Sequence, residues 1–288
     1  MNDAARELTL LIPAFNEEAT IGRVVGEVKR HCGEILHEVL VVDDGSSDAT
    51  AARAEESGAR VIRHDENRGY GAALLTAIRA AGTEYVLTMD GDGQHRAEDV
   101  RILWQARTHH DMVIGQRRTM KQSPLWRRPG KWVLSRVANY LTGRKIPDLN
   151  SGLRLMRRSI ASRYLHLCPR GFSFSTTITM TFLTRGYRVL FEPIEINSRT
   201  GRSTVHVGTG FDTLILILRI TALFNPLRLF IPMSLVAMAA GFIWTIPYVL
   251  AGRGISIASM LAIVTGILLF GLGLICDQIS QLRLERFE

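Results

Sequence analysis

Tyr85-Val86-Leu87-Thr88-Met89-Asp90-Gly91-Asp92-Gly93-Gln94-His95 is an apolar run that breaks into a turn carrying two carboxylates. The run, Tyr85–Met89, has the length of a strand and little alternation of polar with apolar residues. That is the pattern of a strand covered on both faces. Outward from it the same arrangement recurs, with strand-like runs at Leu8–Pro13, Val39–Val42, Arg60–Arg63 and Met112–Ile114. Helical patterns fall between them, near Ala19–His31, Asp48–Glu56, Gly71–Ala80 and Glu98–Arg107. Strands alternating with helices predict an α/β fold with a mostly parallel sheet. The ligands of such sheets collect at the carboxyl ends of the strands.

The informative polar residues sit at those ends. Pro13-Ala14-Phe15-Asn16-Glu17-Glu18 follows the first run, Asp43-Asp44-Gly45-Ser46-Ser47-Asp48 the second, and Asp90-Gly91-Asp92-Gly93-Gln94-His95 the fourth. Asn16 and Asp48 are also ordinary helix caps, and Asp-Gly pairs are ordinary turns. Three acidic clusters at strand ends aimed at one crevice are harder to explain that way. Asp90 and Asp92, with Gly91 allowing close backbone approach, have the donor chemistry for one hard cation, Mg²⁺ or Mn²⁺, and Gln94 adds a neutral oxygen. Such an ion offsets charge on a departing diphosphate. Asn67-Arg68-Gly69-Tyr70-Gly71 lacks the spacing of a dinucleotide fingerprint, and its glycines read as tight packing near a nucleotide.

The chain has 288 residues, 47% apolar and 22% charged, enough for a packed core. Its three cysteines, Cys32, Cys168 and Cys276, have no metal-ligand or disulfide spacing. The net charge of +8 is unevenly spread. Residues 1–111 carry 12 Lys+Arg against 20 Asp+Glu, and residues 112–288 carry 23 against 7. Between Asp111 and Glu192 the only acidic residue is Asp148, among 16 Lys+Arg. That segregation predicts an anionic partner for the middle of the chain.

Two uncharged runs follow, Leu229–Gly252 and Gly254–Cys276, 24 and 23 residues long. Each exceeds the ~20 residues that cross a bilayer, and proline at 232 and 247 is tolerated in lipid. They form a hairpin through Ala251-Gly252-Arg253-Gly254. Arg219, Arg228, Arg283 and Arg286 flank its open end and only Arg253 its tip, so the positive-inside rule puts the first domain and the C-terminus in the cytoplasm. Met1–Glu7 has no apolar signal-peptide core. Phe211–Phe224 is too short to span and reads as a helix lying at the membrane surface. The expected division is 1–207 for a cytoplasmic catalytic domain, 208–226 for the interfacial helix and 227–288 for the spans and tail. The expected location is the cell (inner) membrane, multi-pass. Two spans and an acidic N-terminal half argue against nucleic acid as the partner.

Together these residues resemble glycosyltransferase family 2 with the GT-A fold, in the branch of dolichyl-phosphate mannose synthases and polyprenyl-phosphate glycosyltransferases. The resemblance runs over residues 7–225, and the two-helix tail is similar to bacterial membrane-anchored members. It is carried by Pro13 to Glu17, Asp43-Asp44-Gly45-Ser46, Asp90-Gly91-Asp92-Gly93-Gln94-His95, Lys131 to Ser135, Asp148-Leu149-Asn150-Ser151-Gly152-Leu153-Arg154 and Arg199-Thr200-Gly201-Arg202-Ser203. The resemblance implies that Pro13, Phe15, Glu17 and Asp44 contact base and ribose, with Asp90 and Gly91 completing the nucleotide pocket. It implies that Asp90, Asp92 and Gln94 hold the metal. It implies that Arg117, Lys131 and Ser135 receive a lipid phosphate, with Arg199, Arg202 and Ser203 closing from a later loop. Arg118, Arg127 and Arg128 read equally well as solvated surface.

Two departures from that branch stand out. Ser175-Thr176-Thr177 replaces a common Gln-x-Glu, and Lys131 replaces an arginine, keeping the charge without the bidentate fork. The Gln-x-x-Arg-Trp signature of processive synthases is absent, which implies transfer of one sugar. The expected reaction is an inverting transfer from a GDP- or UDP-sugar to a dolichyl or undecaprenyl phosphate. Asp148 is the fallback base, or else orients Arg154 or nearby backbone. The rival readings are a small-molecule acceptor and a catalytically silent scaffold for a membrane partner. Homo-oligomerisation stays open.

Overall fold

A computed structural model of the chain describes residues 7–117, 136, 139–140, 143, 145–149, 151–171, 173–195 and 222–285. The chain divides into two compact units, residues 1–135 with 144–207, and residues 136–143 with 208–288.

The first unit is built on a seven-stranded sheet. Its strands are β1 (Leu8–Ala14), β2 (Leu36–Asp43), β3 (Arg60–Arg63), β4 (Tyr85–Thr88), β5 (Met112–Arg117), β6 (Arg154–Arg157) and β7 (Val189–Ile194), in spatial order β3-β2-β1-β4-β6-β5-β7. All pairings are parallel except those of β6, which runs antiparallel to both β4 and β5. Among the described residues the α-helices of this unit are α1 (Ile21–Cys32), α2 (Thr50–Glu56), α3 (Tyr70–Ala80), α4 (Ala97–Gln105), α5 (Arg158–Arg163) and α6 (Phe174–Thr184).

The first strand shows why its residues form a central strand. All seven of its residues are buried, and their faces alternate. Leu8, Leu10 and Ile12 enter one core with Val24, Val28, Leu103 and Trp104, under α1 and α4. Leu11 enters the other with Leu40, Leu74, Ile78, Phe174 and Phe182, under α3 and α6. A strand covered on both faces needs apolar side chains at every position, hence the unbroken run. Truncating one of these side chains to Ala costs about 2–5 kcal/mol.

The sequence-based expectation of a mostly parallel α/β sheet holds, with shifted boundaries. β2 starts three residues earlier than the apolar run, at Leu36, because pairing with β1 continues through Glu38 to Leu36, past a register shift at His37. β5 continues through Gly115-Gln116-Arg117, which pair with Glu192, Pro193 and Ile194 of β7. The strands β6 and β7 were not expected. Arg154-Leu155-Met156-Arg157 reads as polar at both ends, yet Arg154 is 1% exposed.

The reversal of β6 positions the site. Arg154, its first residue, pairs with Thr88 of β4 and Ile114 of β5. The segment leading into β6 therefore arrives at the carboxyl edge of the parallel strands. β1 and β4 are neighbours whose following helices lie toward the same core, and the crossover leaves β2 and β6 on opposite sides of them. Ligand crevices form at such reversals of strand order.

In the second unit, α7 (Leu227–Leu250) and α8 (Ile257–Glu285) are both long and apolar enough to cross a membrane. Phe242, Ile243, Trp244, Leu250, Ile257 and Leu261 are all more than half exposed, an apolar surface that water does not favour. The observed turn is Ala251–Ser256, and α8 continues past Cys276 through Asp277 to Glu285. Pro232 and Pro247 lie inside α7. The two helices touch through small residues. A Cβ on Gly266 would stand 2.4 Å from Met238 Cγ, and one on Gly241 2.7 Å from Ile263 Cγ1. Close backbone approach of this kind is how helices associate in lipid. At the start of α7, the Tyr140 hydroxyl donates to the Arg228 carbonyl at 2.8 Å. Of the expected interfacial helix, residues 211–221 lie outside the described residues, as do Arg219 and Arg286.

Candidate active site

The loops after β1 and β2 are joined to each other. The Asn16 amide donates to Ser46 Oγ at 2.9 Å, and the Ser47 amide to Asn16 Oδ1 at 3.0 Å. The Glu17 amide donates to Thr50 Oγ1 at 2.8 Å, and the Ala49 amide to Glu18 Oε2 at 3.0 Å. Asn16 has φ 55°, the left-handed region that asparagine tolerates better than most residues. Pro13 is buried, while Phe15 and Glu17 are half-buried. Thr20 Oγ1 lies 3.0 Å from Glu17 Oε2 and 2.9 Å from the Gly91 carbonyl, which links the first loop to the turn after β4.

The second acidic pair is engaged by the chain itself. Asp44, 3% exposed, accepts from the backbone of Arg68 (3.0 Å) and Gly69 (2.8 Å), and its Oδ1 lies 2.7 Å from His64 Nδ1. It thereby fixes the start of α3. Asp43 accepts from the Ser46 amide at 2.9 Å and lies 3.3 Å from Arg63 Nε. The glycines of Asn67–Gly71 pack against protein backbone. A Cβ on Gly71 would stand 2.3 Å from the Pro169 carbonyl, and the Ala72 amide donates to the Arg170 carbonyl at 2.8 Å.

Asp90 is reached from three sides. The Tyr70 hydroxyl donates to its Oδ1 at 3.0 Å, and His95 Nε2 stands 3.8 Å from its Oδ2. On the third side, a Cβ on Gly152 would fall 2.1 Å from Asp90 Oδ2, so a side chain there would displace the carboxylate. Burial pushes the Asp90 carboxyl up, and His95, Tyr70 and Arg154 outweigh it, holding the group below its ordinary value of 3.8. Asp92 is buried and accepts from the Gln94 amide at 3.1 Å, across a turn with Gly93 at φ 73°. Among the described residues no three His, Cys, Asp or Glu side chains gather as a metal cage. What the turn offers is two carboxylates and an amide oxygen. That donor set suits Mg²⁺ or Mn²⁺, whose remaining positions go to phosphate and water.

Across from this turn, at the end of β5, Arg117 donates to Asp148 with Nε at 2.7 Å and Nη2 at 2.9 Å. These hydrogen bonds raise the Arg117 pKa and keep its guanidinium charged. Arg154 is fully buried and donates from Nη2 to the Leu149 carbonyl at 2.8 Å. Burial pulls its pKa down to about 10, against the opposing pull of Tyr70, Asp148 and Asp90. Asp148 therefore grips Arg117 rather than Arg154, while Arg154 holds the backbone next to Asp148.

Of the residues singled out from sequence, Pro13, Phe15, Glu17, Asp44, Asp90, Gly91, Asp92, Gln94, Arg117 and Asp148 fall on this carboxyl edge or the loops leaving it. Lys131, Ser135, Arg199, Arg202 and Ser203 lie outside the described residues, as do Arg118, Arg127, Arg128 and Asn150. The sequence motifs give no separate role to Tyr70, His95, Gly152 or Arg154. The one sequence signal for Gly152 and Arg154 was their place in the Asp148–Arg154 motif. Tyr70 had none beyond its neighbouring glycines.

The sequence matches the family described as glycosyl transferase family 2 over residues 9–165, and the GtrB C-terminal hairpin over residues 225–282. It is 31% identical over 210 residues to the polyprenol monophosphomannose synthase of Mycolicibacterium smegmatis, covering 66% of this chain and 77% of that one. It is 32% identical over 164 residues to the dodecaprenyl-phosphate galacturonate synthase of Rhizobium johnstonii, covering 54% of this chain and 48% of the relative. The fold is similar to that of glucosyl-3-phosphoglycerate synthase from Mycobacterium tuberculosis, solved with Mn²⁺, uridine diphosphate and phosphoglyceric acid. The TM-score is 0.61 at 22% identity, covering 75% of this chain and 79% of that one. The chain belongs to glycosyl transferase family 2, and its enzyme class is that of a glycosyltransferase.

Proposed function

We propose that this family 2 glycosyltransferase moves one sugar from a GDP- or UDP-linked donor to a polyprenyl phosphate at the cytoplasmic face of the membrane. The observation that carries this reading is one charge network, in which the Asp90–Asp92 turn lies beside the Arg117–Asp148 pair and buried Arg154. An acidic turn suited to a cation–diphosphate and a cationic side chain suited to a second phosphate then serve opposite sides of one reacting carbon. The names of the two relatives describe sugar transfer to polyprenol phosphates, and the apolar hairpin offers a lipid acceptor a membrane to lie in.

On this reading Pro13, Phe15, Glu17, Asp44 and Gly91 form the nucleotide pocket, Asp44 by holding the start of α3 against it. Asp90 and Asp92, with Gln94, would hold Mg²⁺ or Mn²⁺, which when bound offsets the charge on the leaving diphosphate. An oxygen of the acceptor phosphate attacks the anomeric carbon in line. The carbon–oxygen bond to the diphosphate breaks, its electron pair stays on the diphosphate oxygen, and the configuration inverts. A phosphate monoester has a second pKa of about 6, so the attacking oxygen carries little proton at neutral pH and needs no strong base. Arg117 binds that phosphate, joined by Lys131, Ser135, Arg199, Arg202 and Ser203. Asp148 acts through Arg117, fixing the direction of its remaining donors. Catalysis rests on positioning and on charge stabilisation of the leaving group.

The test is a donor screen with radiolabelled GDP-mannose, UDP-glucose and UDP-N-acetylglucosamine, each with a short polyprenyl phosphate. One of them is expected to give a lipid-extractable labelled product. Transfer only to water-soluble acceptors would overturn the reading.

A further inference from the structure

We infer that the Tyr70 hydroxyl, with Gly152 packed against the carboxylate, sets the orientation of Asp90 toward its cation. This inference rests on the proposal that Asp90 holds the cation. Two separate parts of the first unit, the start of α3 and the segment leading into β6, meet at that one carboxylate.

The phenol comes first. Tyr70 opens α3, and its backbone position is tied on both sides. Asp44 holds the Arg68 and Gly69 amides immediately before it. Gly69, at φ 98°, and Gly71 press against the backbone of residues 169–171, so neither position tolerates a side chain. The tyrosine thus leaves a fixed point and reaches Asp90 Oδ1 at 3.0 Å.

A phenol has one proton to give, and here Asp90 accepts it. The missing side chain at position 152 lets the carboxylate lie against the backbone, where any Cβ would overlap it. The carboxylate is held by the phenol and confined by the backbone at Gly152. Partners that orient a metal-binding carboxylate typically contribute about 10–100-fold in metal affinity.

The test titrates Mn²⁺ into the full-length, detergent-solubilised protein with GDP and, separately, with UDP, following free Mn²⁺ by electron paramagnetic resonance. Tyr70→Phe keeps the ring and removes only the hydroxyl. It is expected to weaken Mn²⁺ binding about 10–100-fold. Nucleotide affinity in chelator and the melting temperature should stay at wild-type values. In turnover, the loss should appear as a higher KM for Mn²⁺, with kcat recovered at saturating metal. Wild-type Mn²⁺ affinity in Tyr70→Phe, alongside lost binding in Asp90→Ala, would overturn the role of Tyr70 and leave the cation site standing. Wild-type Mn²⁺ affinity in Asp90→Ala would remove the cation site, and the role of Tyr70 with it. If Tyr70→Phe lowers the melting temperature, Mn²⁺ is titrated well below that temperature, and unchanged affinity there overturns the role of Tyr70.

Discussion

Asp148 holds Arg117 with both carboxylate oxygens, Oδ2 to Nε at 2.7 Å and Oδ1 to Nη2 at 2.9 Å, from a position 31 residues away in sequence. A two-point grip fixes the plane of a guanidinium as well as its place. In Asp148→Asn the amide keeps one acceptor and loses the charge. Hydrogen bonds to charged groups contribute about 1.5–3 kcal/mol, so the KM for the acceptor phosphate should rise roughly 10–100-fold. Arg117→Lys should show the same phenotype, and the double variant should be little worse than either. A large fall in kcat at unchanged KM in Asp148→Asn would instead make Asp148 a base.

Gly152→Ala inserts a methyl where the Asp90 carboxylate lies. Overpacking of this kind costs about 1–3 kcal/mol and here displaces a side chain of the site. Turnover is expected to fall at least ~100-fold while the protein still folds, since moving a positioned group by about 1 Å has that effect. Circular dichroism and activity assays on the same preparation check it. Near-wild-type turnover would mean that Asp90 needs no such confinement.

Chelation by EDTA should abolish transfer, and Mn²⁺ or Mg²⁺ should restore it. Asp92→Ala should leave nucleotide binding in chelator intact while Mn²⁺ no longer tightens it, as read by calorimetry. Full activity in Asp92→Ala would dismiss that residue from the cation site.

Asp48 gives the acid limb of stability a local source. Burial pushes its carboxyl up, but hydrogen bonds from the Thr50 side chain and from the Glu18 and Thr50 backbone prevail and lower it below its ordinary 3.8. A depressed native pKa means that the carboxylate stabilises the fold above pH 3.8 and that this stability is lost as pH falls through the lower native value. Asp48→Asn should therefore be less stable than wild type at neutral pH, with the two converging in acid. Urea unfolding across pH 7 to 2.5 tests this, and parallel curves would contradict it.

Gly266→Leu should force α7 and α8 apart, because Met238 Cγ and the Ser234 carbonyl already stand 2.4 and 2.8 Å from where a Cβ would lie. Faster proteolysis of the hairpin in mild detergent is the expected readout. An equivalent change at Gly271, which has nothing within 4 Å, should be silent.

Much of the fold and part of the site were legible in the sequence, for local physical reasons. A strand buried on both faces must be apolar throughout, so β1 and β4 announced themselves, and the acidic turns marked where they end. Twenty or more uncharged residues in succession marked the hairpin, because helices facing lipid cannot afford polar side chains. Asp90, Asp92 and Gln94 were visible because their spacing within one turn is itself the signal. Tertiary structure alone decided what surrounds them. β6 was hidden, since its Arg154 looks solvated until the backbone pairs of Thr88 and Ile114 close around it. Its reversal carries Asp148 to Arg117 and Gly152 to Asp90, 62 residues apart in sequence. Tyr70 reaches Asp90 from the start of α3. Such contacts follow from strand order and register, which depend on how distant segments share one sheet and leave no local pattern for any of them to show.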